Sequence, residues 1–423
     1  MGYQRRILDQ VLDEVFPNLP AIALEGAKGV GKTATAAGRA TTSFELDRRE
    51  RREVLAADLG QIVRADPPVL VDEWQLMPET WDRIRRSVDD DPTGGHYLLT
   101  GSATAPPDAR IHSGAGRIVS LLMRPLSFAE RGVETPTVSL SNLLVGGGPQ
   151  VEGQTDVVLS RYVDEILRSG FPGIRRIEGR ARRMQLDSYI SRIVGRELPE
   201  NGMMVRRPAA LLDWLSAYGA ATATNAGYSA ILDAATAGIG DKPARNTADA
   251  YRDHLRRLFI LEPLPAWTPT ASPLKRLALA PKHHLVDPAL AARLARVDAA
   301  ALLKGLEPGR LGVAGTFLAA LFESLVTQSV RVYAEAAEAS VSHLRSGDDE
   351  REIDLIVEGE GGRVLPIEVK LAVSVGDKDV RHLNWLRETL GDRVVDRVIV
   401  TTGSQAYRRK DGVAVVPLAL LGP

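Results

Sequence analysis

The sequence predicts an α/β protein with a parallel-sheet domain at the beginning, a helical middle region and a second α/β domain at the end. Three observations support this prediction. A strand, a glycine-rich loop and a helix follow one another over residues 20–40, and an apolar strand at 69–71 runs into two acidic residues. Near the end, two strand-like segments at 352–358 and 363–370 are joined by a Gly-rich turn. Apolar strands alternating with helices are typical of a sheet covered by helices.

The composition limits the class of protein. A length of 423 residues predicts two to four domains, and 44% hydrophobic and 25% charged residues are ordinary for a soluble globular protein. The net charge of −1 gives no overall attraction to nucleic acid, although a local basic face is compatible with that total. Cysteine is absent, which excludes disulfides and cysteine-based zinc sites. We find no signal peptide and no apolar stretch of membrane-spanning length, and therefore expect a cytoplasmic protein without a membrane partner.

The strongest motif is the segment GAKGVGKT at residues 26–33. It follows the strand-like PAIALEG and precedes an Ala-rich helical segment, which is the context of a phosphate-binding loop. Its glycines let the backbone curl so that amide N–H groups face phosphates, while Lys32 adds a positive charge and the Thr33 hydroxyl is suited to Mg²⁺. The residues expected to bind ATP here are Gly26, Lys28, Gly29, Val30, Gly31, Lys32 and Thr33.

A partner carboxylate for this loop is expected at the end of the strand Val69–Val71. Asp72 and Glu73 follow directly, at the edge where open α/β sheets bind their ligands. Asp72 is predicted to hold Mg²⁺, and Glu73 to polarise the attacking water. An exposed acidic pair at a strand end is the alternative.

Together, GAKGVGKT, VLVDEWQ, LLTGSA and GRI…RPLSFAE resemble a group of bacterial and archaeal AAA-type ATPases. In that group, a winged-helix segment and a restriction-endonuclease-like domain follow the ATPase domain. The resemblance covers essentially the whole chain and is most specific in residues 20–130 and in the last hundred. It implies ATP and Mg²⁺ as cofactors, and a homo-oligomer with sites between subunits.

The resemblance also implies two further groups near the nucleotide. A polar side chain at the end of the third strand would sense the γ-phosphate, and Thr100 and Ser102 are both candidates, with Ser102 assigned to nucleotide binding. Arg110 and Arg117 are candidates for the arginine that stabilises the transferring phosphate, in the same chain or from a neighbouring subunit. A surface arginine is an equally good interpretation of either.

The middle region is predicted to contain three segments. Residues 136–157 are polar and Gly-rich and indicate a flexible linker after an ATPase domain at 1–135. Residues 158–205 are helical and rich in arginine, which indicates either a surface for a phosphate backbone, a solvated helix face or contacts to the ATPase domain. Residues 206–300 combine helices with a strand-like, Pro-rich stretch and predict a winged-helix-like domain, which would bind DNA or a protein partner.

The last module, residues 310–423, contains the second candidate site. If the hairpin is centred at Gly361, Asp354 and Glu368 lie opposite each other with Cβ atoms about 5 Å apart. Two facing carboxylates need a cation, and Mg²⁺ prefers such oxygen ligands. Lys370 shares the face of Glu368 and is suited to orient a water or stabilise phosphate charge in phosphodiester hydrolysis. The alternative is that these charges only keep exposed strands soluble.

The pattern Asp…Glu-x-Lys, preceded by a helical Glu323, resembles the PD-(D/E)xK nuclease fold. The resemblance implies metal binding by Glu323, Asp354 and Glu368 and a catalytic role for Lys370. The sequence departs from the pattern because no proline precedes Asp354. Three functions follow as hypotheses: an ATPase whose cycle controls a nuclease, an ATP-switched DNA-binding regulator with an inactive nuclease-like domain, and an ATPase that acts on protein partners.

Overall fold

The computed structural model describes residues 3–102, 114–236, 245–269, 279–304, 313–346 and 351–423. The chain divides into two compact units. The first comprises Met1–Pro125, Gly195–Val205 and Arg252–Ile260, and the second comprises Leu126–Val194, Arg206–Tyr251 and Leu261–Pro423. This division differs from the predicted run of consecutive domains, because two short segments from the middle of the chain belong to the first unit.

The regular elements are numbered in chain order over the described residues. The strands are β1 (Ala21–Glu25), β2 (Thr42–Glu45), β3 (Val69–Asp72), β4 (Tyr97–Gly101), β5 (Val119–Leu122), β6 (Val138–Ser139), β7 (Gly153–Gln154), β8 (Ser340–Arg345), β9 (Glu352–Glu358), β10 (Val364–Lys370), β11 (Val398–Thr401), β12 (Gln405–Arg408), β13 (Ala414–Pro417) and β14 (Leu421–Gly422). The helices are α1 (Ile7–Val15), α2 (Lys32–Ala37), α3 (Arg49–Ala57), α4 (Gln61–Arg64), α5 (Glu79–Asp90), α6 (Leu140–Val145), α7 (Leu159–Arg168), α8 (Pro172–Arg175), α9 (Gly179–Arg192), α10 (Leu198–Glu200), α11 (Pro208–Ala220), α12 (Tyr228–Ala235), α13 (Arg245–Arg257), α14 (Pro288–Leu294), α15 (Ala299–Lys304), α16 (Val313–Ala336) and α17 (Asp377–Leu390).

A five-stranded parallel sheet forms the centre of the first unit, in the order β2-β3-β4-β1-β5. The residues of β3 are all buried, as expected for a strand covered on both faces. Because the strands are parallel, their carboxyl ends meet at one edge, where Asp72 pairs with Thr100 in register. The prediction of a parallel α/β sheet is confirmed.

The second unit contains a seven-stranded mixed sheet in the order β7-β12-β13-β11-β10-β9-β8. Its central strands β10, β11 and β13 are parallel, β9 pairs antiparallel with β10, and β8 pairs antiparallel with β9. Helix α17 packs on this sheet through Val380, Leu383 and Leu386, which join its core cluster. The β9–β10 ladder pairs Ile367 with Leu355, so the next step along it brings Glu368 opposite Asp354.

The segment 136–157 is not a linker in the structure. It contains β6, α6 and β7, and β6 pairs with β14 while β7 pairs with β12. Leu140 and Leu143 of α6 are fully buried. Its glycines suggested flexibility, but the apolar side chains of α6 bury enough surface to order the segment.

The segment predicted to be a wing forms two antiparallel bridges, Leu261 with Leu285 and Leu264 with Lys282. Beyond the first of its arms, Ala266 bridges to His343 of β8, at the edge of the mixed sheet. This connection brings Lys282 close to the sheet that carries the C-terminal carboxylates. In the described parts of the chain, no helix is long and apolar enough to cross a membrane.

Candidate functional site

The loop between β1 and α2 curls through three glycines in conformations that other residues rarely adopt. Gly26, Gly29 and Gly31 have φ of 144°, 87° and 110°. A Cβ on Gly26 would lie 2.2 Å from the carbonyl oxygen of Met123, so this position excludes any side chain. The loop thereby leaves an open backbone cradle of the kind that triphosphates require.

Lys32 begins α2 and is only 5% exposed. Its Nζ donates to the carbonyl oxygens of Gly26 at 2.7 Å and Ala27 at 3.0 Å, which holds the ammonium under the loop. Burial lowers the pKa of Lys32 to about 8, against the opposing pull of Glu73 and Asp72. An anionic ligand in the loop would therefore supply the charge partner that this ammonium needs.

Asp72, at the end of β3, accepts two hydroxyl hydrogen bonds. Thr33 Oγ1 donates to its Oδ1 at 2.8 Å, and Thr100 Oγ1 donates to the same oxygen. The predicted pair of Mg²⁺ ligands, Thr33 and Asp72, is thus in direct contact. This donor set of one carboxylate and one hydroxyl beside a phosphate cradle fits Mg²⁺.

Glu73 adopts a left-handed backbone conformation with φ of 56°, which turns its side chain out of the strand direction. Ser102 Oγ donates to Glu73 Oε2 at 3.2 Å, and Gln75 Nε2 donates to the same oxygen. The two candidates for a phosphate sensor therefore have different partners. Thr100 donates to Asp72, the candidate metal ligand, and accepts from the Glu73 N–H, whereas Ser102 donates to the side chain of Glu73, the candidate base.

A cavity of about 700 Å³ opens at this edge of the sheet. It is lined by Thr33, Asp72, Glu73 and Ser102 together with residues of the 195–205 segment. The lining residues that the sequence did not assign to the nucleotide site are Asp47, Arg52, Gln75, Leu76, Arg196, Glu197, Glu200 and Asn201. Lys28 of the loop pairs with Glu197 at 3.0 Å. Arg196 belongs to the arginine-rich segment, for which contacts to the ATPase domain were one predicted alternative, but it lies more than 160 positions from the loop and no local pattern assigned it to the nucleotide site.

Arg117 does not reach this cavity in its own chain. Its Nε donates to Asp89 Oδ1 at 2.8 Å, near the end of α5. Arg117 precedes β5, which runs parallel to β1. It therefore lies at the amino ends of the strands, whereas the phosphate loop lies at their carboxyl ends. The expectation of an arginine acting within the same chain is therefore not met by Arg117. Arg110 lies outside the described residues.

The C-terminal carboxylates surround a lysine that the sequence did not indicate. The acidic cluster consists of Glu323, Glu352, Asp354 and Glu368. Lys282 Nζ lies 2.9 Å from an oxygen of each of the first three, and its side chain is 1% exposed. The sequence offers only a weak signal for it, a lysine in the stretch APKHHLVDPALAA at residues 280–292, most of which the structure buries.

Burial and mutual repulsion set the protonation of this cluster. Burial alone would lower the pKa of Lys282, but Asp354, Glu323 and Glu352 outweigh it and raise that pKa well above its usual range. Burial and the nearby Asp354 raise the pKa of Glu323 to about 8. Burial would also raise the pKa of Asp354, but the Lys282 ammonium and the Val369 N–H overcome it and lower that pKa.

Glu368 and Lys370 stand beside this cluster. Burial and the charge of Asp354 raise the pKa of Glu368 well above its usual range. Lys370 Nζ lies 3.2 Å from Glu368 Oε2, and both line a cavity of about 220 Å³ with Lys378, Arg381 and other side chains. Over the ranges that the structure describes, no group of three or more carboxylate or imidazole side chains is arranged to hold a metal ion. The residues of the acidic cluster therefore do not fit the metal expected in the second unit.

Several arginines of the arginine-rich segment form ion pairs within the second unit. Arg175 pairs with Glu165 at 2.5 Å, and the side chain of Glu165 is completely buried. Arg182 is mostly buried beside Asp164. The exposed arginines of α9 are Arg180, Arg183 and Arg192. The predicted basic surface is thus smaller than the count of arginines suggested.

Comparison with known proteins agrees with the first site. Residues 18–132 match a family described as an AAA domain, and residues 159–301 and 318–421 match two families described as domains of unknown function, DUF8612 and DUF4143. Among curated proteins, no match was found. Among solved structures, the Walker-type ATPase PABY2304 of Pyrococcus abyssi aligns over 68% of this chain and 94% of its own, with 18% identity and a TM-score of 0.38. The AAA match supports an ATPase domain that binds and hydrolyses ATP.

Proposed function

We propose that this protein is an ATP-hydrolysing switch that acts on DNA. The observation that carries the ATPase part is the convergence of Thr33, Asp72 and Glu73 on one cavity at the carboxyl ends of the parallel strands, next to the glycine loop whose carbonyls hold Lys32. When bound, ATP with Mg²⁺ supplies the phosphoryl group that is transferred to water. The loop backbone and Lys32 would hold the phosphates, and Thr33 and Asp72 would hold the metal.

Glu73 is assigned the role of general base. Its Oε2 is oriented by Ser102 and Gln75, and the side chain stands next to the metal-site carboxylate without sharing its hydroxyl partners. A water beside Oε2 would lose its proton to this carboxylate. The cavity also exposes Arg52 and Arg196 as positive charges that would face the phosphates. Arg117 is proposed to act only from a neighbouring subunit of a homo-oligomer.

Glu73→Gln is expected to keep ATP binding and to lower turnover by at least about 100-fold, because the amide cannot accept the proton. ATP affinity is measured by equilibrium binding and turnover by phosphate release. Gln75→Ala is a useful comparison, because it removes only one of the two groups that orient Glu73 and should cost less. Normal turnover by Glu73→Gln would assign the base to another residue.

The DNA part of the proposal rests on two features. The helices α11, α12 and α13, with the paired arms at 261–264 and 282–285, are compatible with a winged helix, which we propose as one DNA contact. The exposed arginines of α9, Arg180, Arg183 and Arg192, are proposed as a second contact with the phosphate backbone. A protein partner at the same surfaces is the competing outcome.

Binding to duplex DNA is expected to weaken steeply as salt rises, because each neutralised phosphate releases a counterion. Replacing Arg180, Arg183 and Arg192 together with alanine should reduce the slope of log affinity against log salt by up to about 3. The matched control replaces Arg48, Arg49 and Arg51, exposed arginines of the first unit. Fluorescence anisotropy with ATP or ADP gives both quantities. Affinity that is absent or indifferent to salt would favour a protein partner.

A nuclease in the second unit is the competing hypothesis to be tested, against the finding that the acidic cluster does not fit a metal ion. Its support is the register that faces Asp354 with Glu368 and brings Lys370 to the same cavity. Incubation with duplex and single-stranded DNA, with Mg²⁺ or Mn²⁺, tests it against Glu368→Ala. Cleavage by the unaltered protein that disappears in the variant would make the ATPase a controller of DNA cutting.

A further inference from the structure

We infer that the Lys282 ammonium occupies the position of a divalent cation in the second unit and supplies the positive charge there. The acidic cluster then holds an ammonium that belongs to the chain itself, and the nuclease candidate lacks its metal. This inference concerns the second unit alone and does not depend on ATP hydrolysis or DNA binding.

The geometry of the ammonium supports this inference. Lys282 Nζ is 2.9 Å from Glu323 Oε1, Glu352 Oε1 and Asp354 Oδ1, which come from helix α16 and strand β9. An ammonium has three N–H donors, and three carboxylates surround this one. Since Mg²⁺ binds carboxylate oxygens at about 2.1 Å, an ion shared by these oxygens would overlap Nζ. Metal and ammonium are therefore mutually exclusive occupants.

The backbone fixes Lys282 in this position. Its N–H donates to the carbonyl of Leu264 at 3.0 Å and its carbonyl accepts from Leu264 N–H at 2.8 Å. The next residue, His283, donates its N–H to Thr224 at 2.9 Å, and both His283 and His284 are buried. With the backbone held here, withdrawing the ammonium would leave Glu323, Glu352 and Asp354 without their shared partner. Lys282 is thus a permanent component of the fold.

The remaining carboxylates are also accounted for. Asp354 Oδ2 accepts from the Val369 N–H at 2.9 Å, and Glu368 pairs with Lys370 at 3.2 Å. Each charge that would coordinate a metal has a partner within the chain. The cavity that part of the acidic cluster lines together with Lys370, Lys378 and Arg381 then lacks the metal needed to hydrolyse a phosphodiester.

Direct measurement of Mn²⁺ binding tests the inference on the full chain. Protein freed of metal with EDTA is titrated with Mn²⁺ without nucleotide, and free Mn²⁺ is followed by electron paramagnetic resonance. The unaltered protein, Glu323→Gln and Asp354→Asn are expected to bind the same number of ions. One additional ion in the unaltered protein, lost in both variants, would overturn the inference.

Lys282→Met supplies the second arm. Without the ammonium, the variant is expected to bind one Mn²⁺ more per chain than the unaltered protein, and the added Asp354→Asn change should remove that ion. A folded Lys282→Met protein that gains no ion would contradict the assignment of this position to a cation. If circular dichroism finds the variant unfolded, the comparison among the unaltered protein, Glu323→Gln and Asp354→Asn decides alone.

Discussion

Lys32→Ala is expected to lower the rate of ATP hydrolysis by at least about 1,000-fold, because it removes the positive charge that would contact the phosphates. The ammonium is already desolvated in the structure, where burial lowers its pKa to about 8 and two carbonyl oxygens hold it. A buried charge without a full counter-charge is suited to stabilise an anion, since no water must be removed from it when the ligand enters. The loss should affect both binding and turnover.

Steady-state phosphate release by purified Lys32→Ala is the measurement. Arg49→Ala, which removes an exposed cation of the same unit, is the control and should behave as the unaltered protein. Circular dichroism establishes that both variants are folded. Hydrolysis at the normal rate by pure Lys32→Ala would refute the assignment of residues 26–33 as the phosphate loop.

Lys282→Met is expected to lower the free energy of unfolding of the second unit by about 3–5 kcal/mol, the usual cost of removing one partner of a buried ion pair. Methionine keeps most of the volume of the lysine side chain, so the change in the free energy of unfolding measures the loss of the positive charge. Asp354, at 13% side-chain exposure, would be left without its ammonium, and Glu323 would face it directly. For a unit of this size, the change corresponds to a fall in Tm of about 10 °C.

Thermal unfolding followed by circular dichroism gives this value. Lys378→Met is the matched control, because Lys378 is exposed and lines the cavity beside the same cluster. Adding Asp354→Asn to Lys282→Met should recover part of the loss, since the uncompensated carboxylate is then absent. Equal Tm values for Lys282→Met and Lys378→Met would mean that the ion pairs contribute little to stability.

The sequence was most informative where the chemistry is local. The phosphate loop could be recognised because Gly26, Gly29 and Gly31 must take backbone conformations that few other residues tolerate. The facing of Asp354 and Glu368 could be derived from the position of a turn, because pairing in a hairpin follows from its centre.

The sequence was least informative about contacts between distant parts of the chain. Lys282 joins carboxylates more than 40 positions away, and neither periodicity nor motif spacing indicates such a pairing. Arg117 was assigned from its place after the third predicted strand. Its ion pair with Asp89 lies at the amino ends of the strands, away from the phosphate loop. The polar segment 136–157 was predicted to be flexible because of its glycines. Two of its leucines, Leu140 and Leu143, are buried and anchor it in the structure.

The interleaving of the two units has a consequence for the synthesis of the protein. A nascent chain whose first 132 residues have left the ribosome already contains β1 to β5 and the whole phosphate loop. It still lacks Arg196, Glu197, Glu200 and Asn201, which line the candidate nucleotide cavity. The cavity is therefore completed only after the ribosome has added about 70 further residues. A fragment cut at the end of the sheet would carry the motif for ATP without its finished binding site.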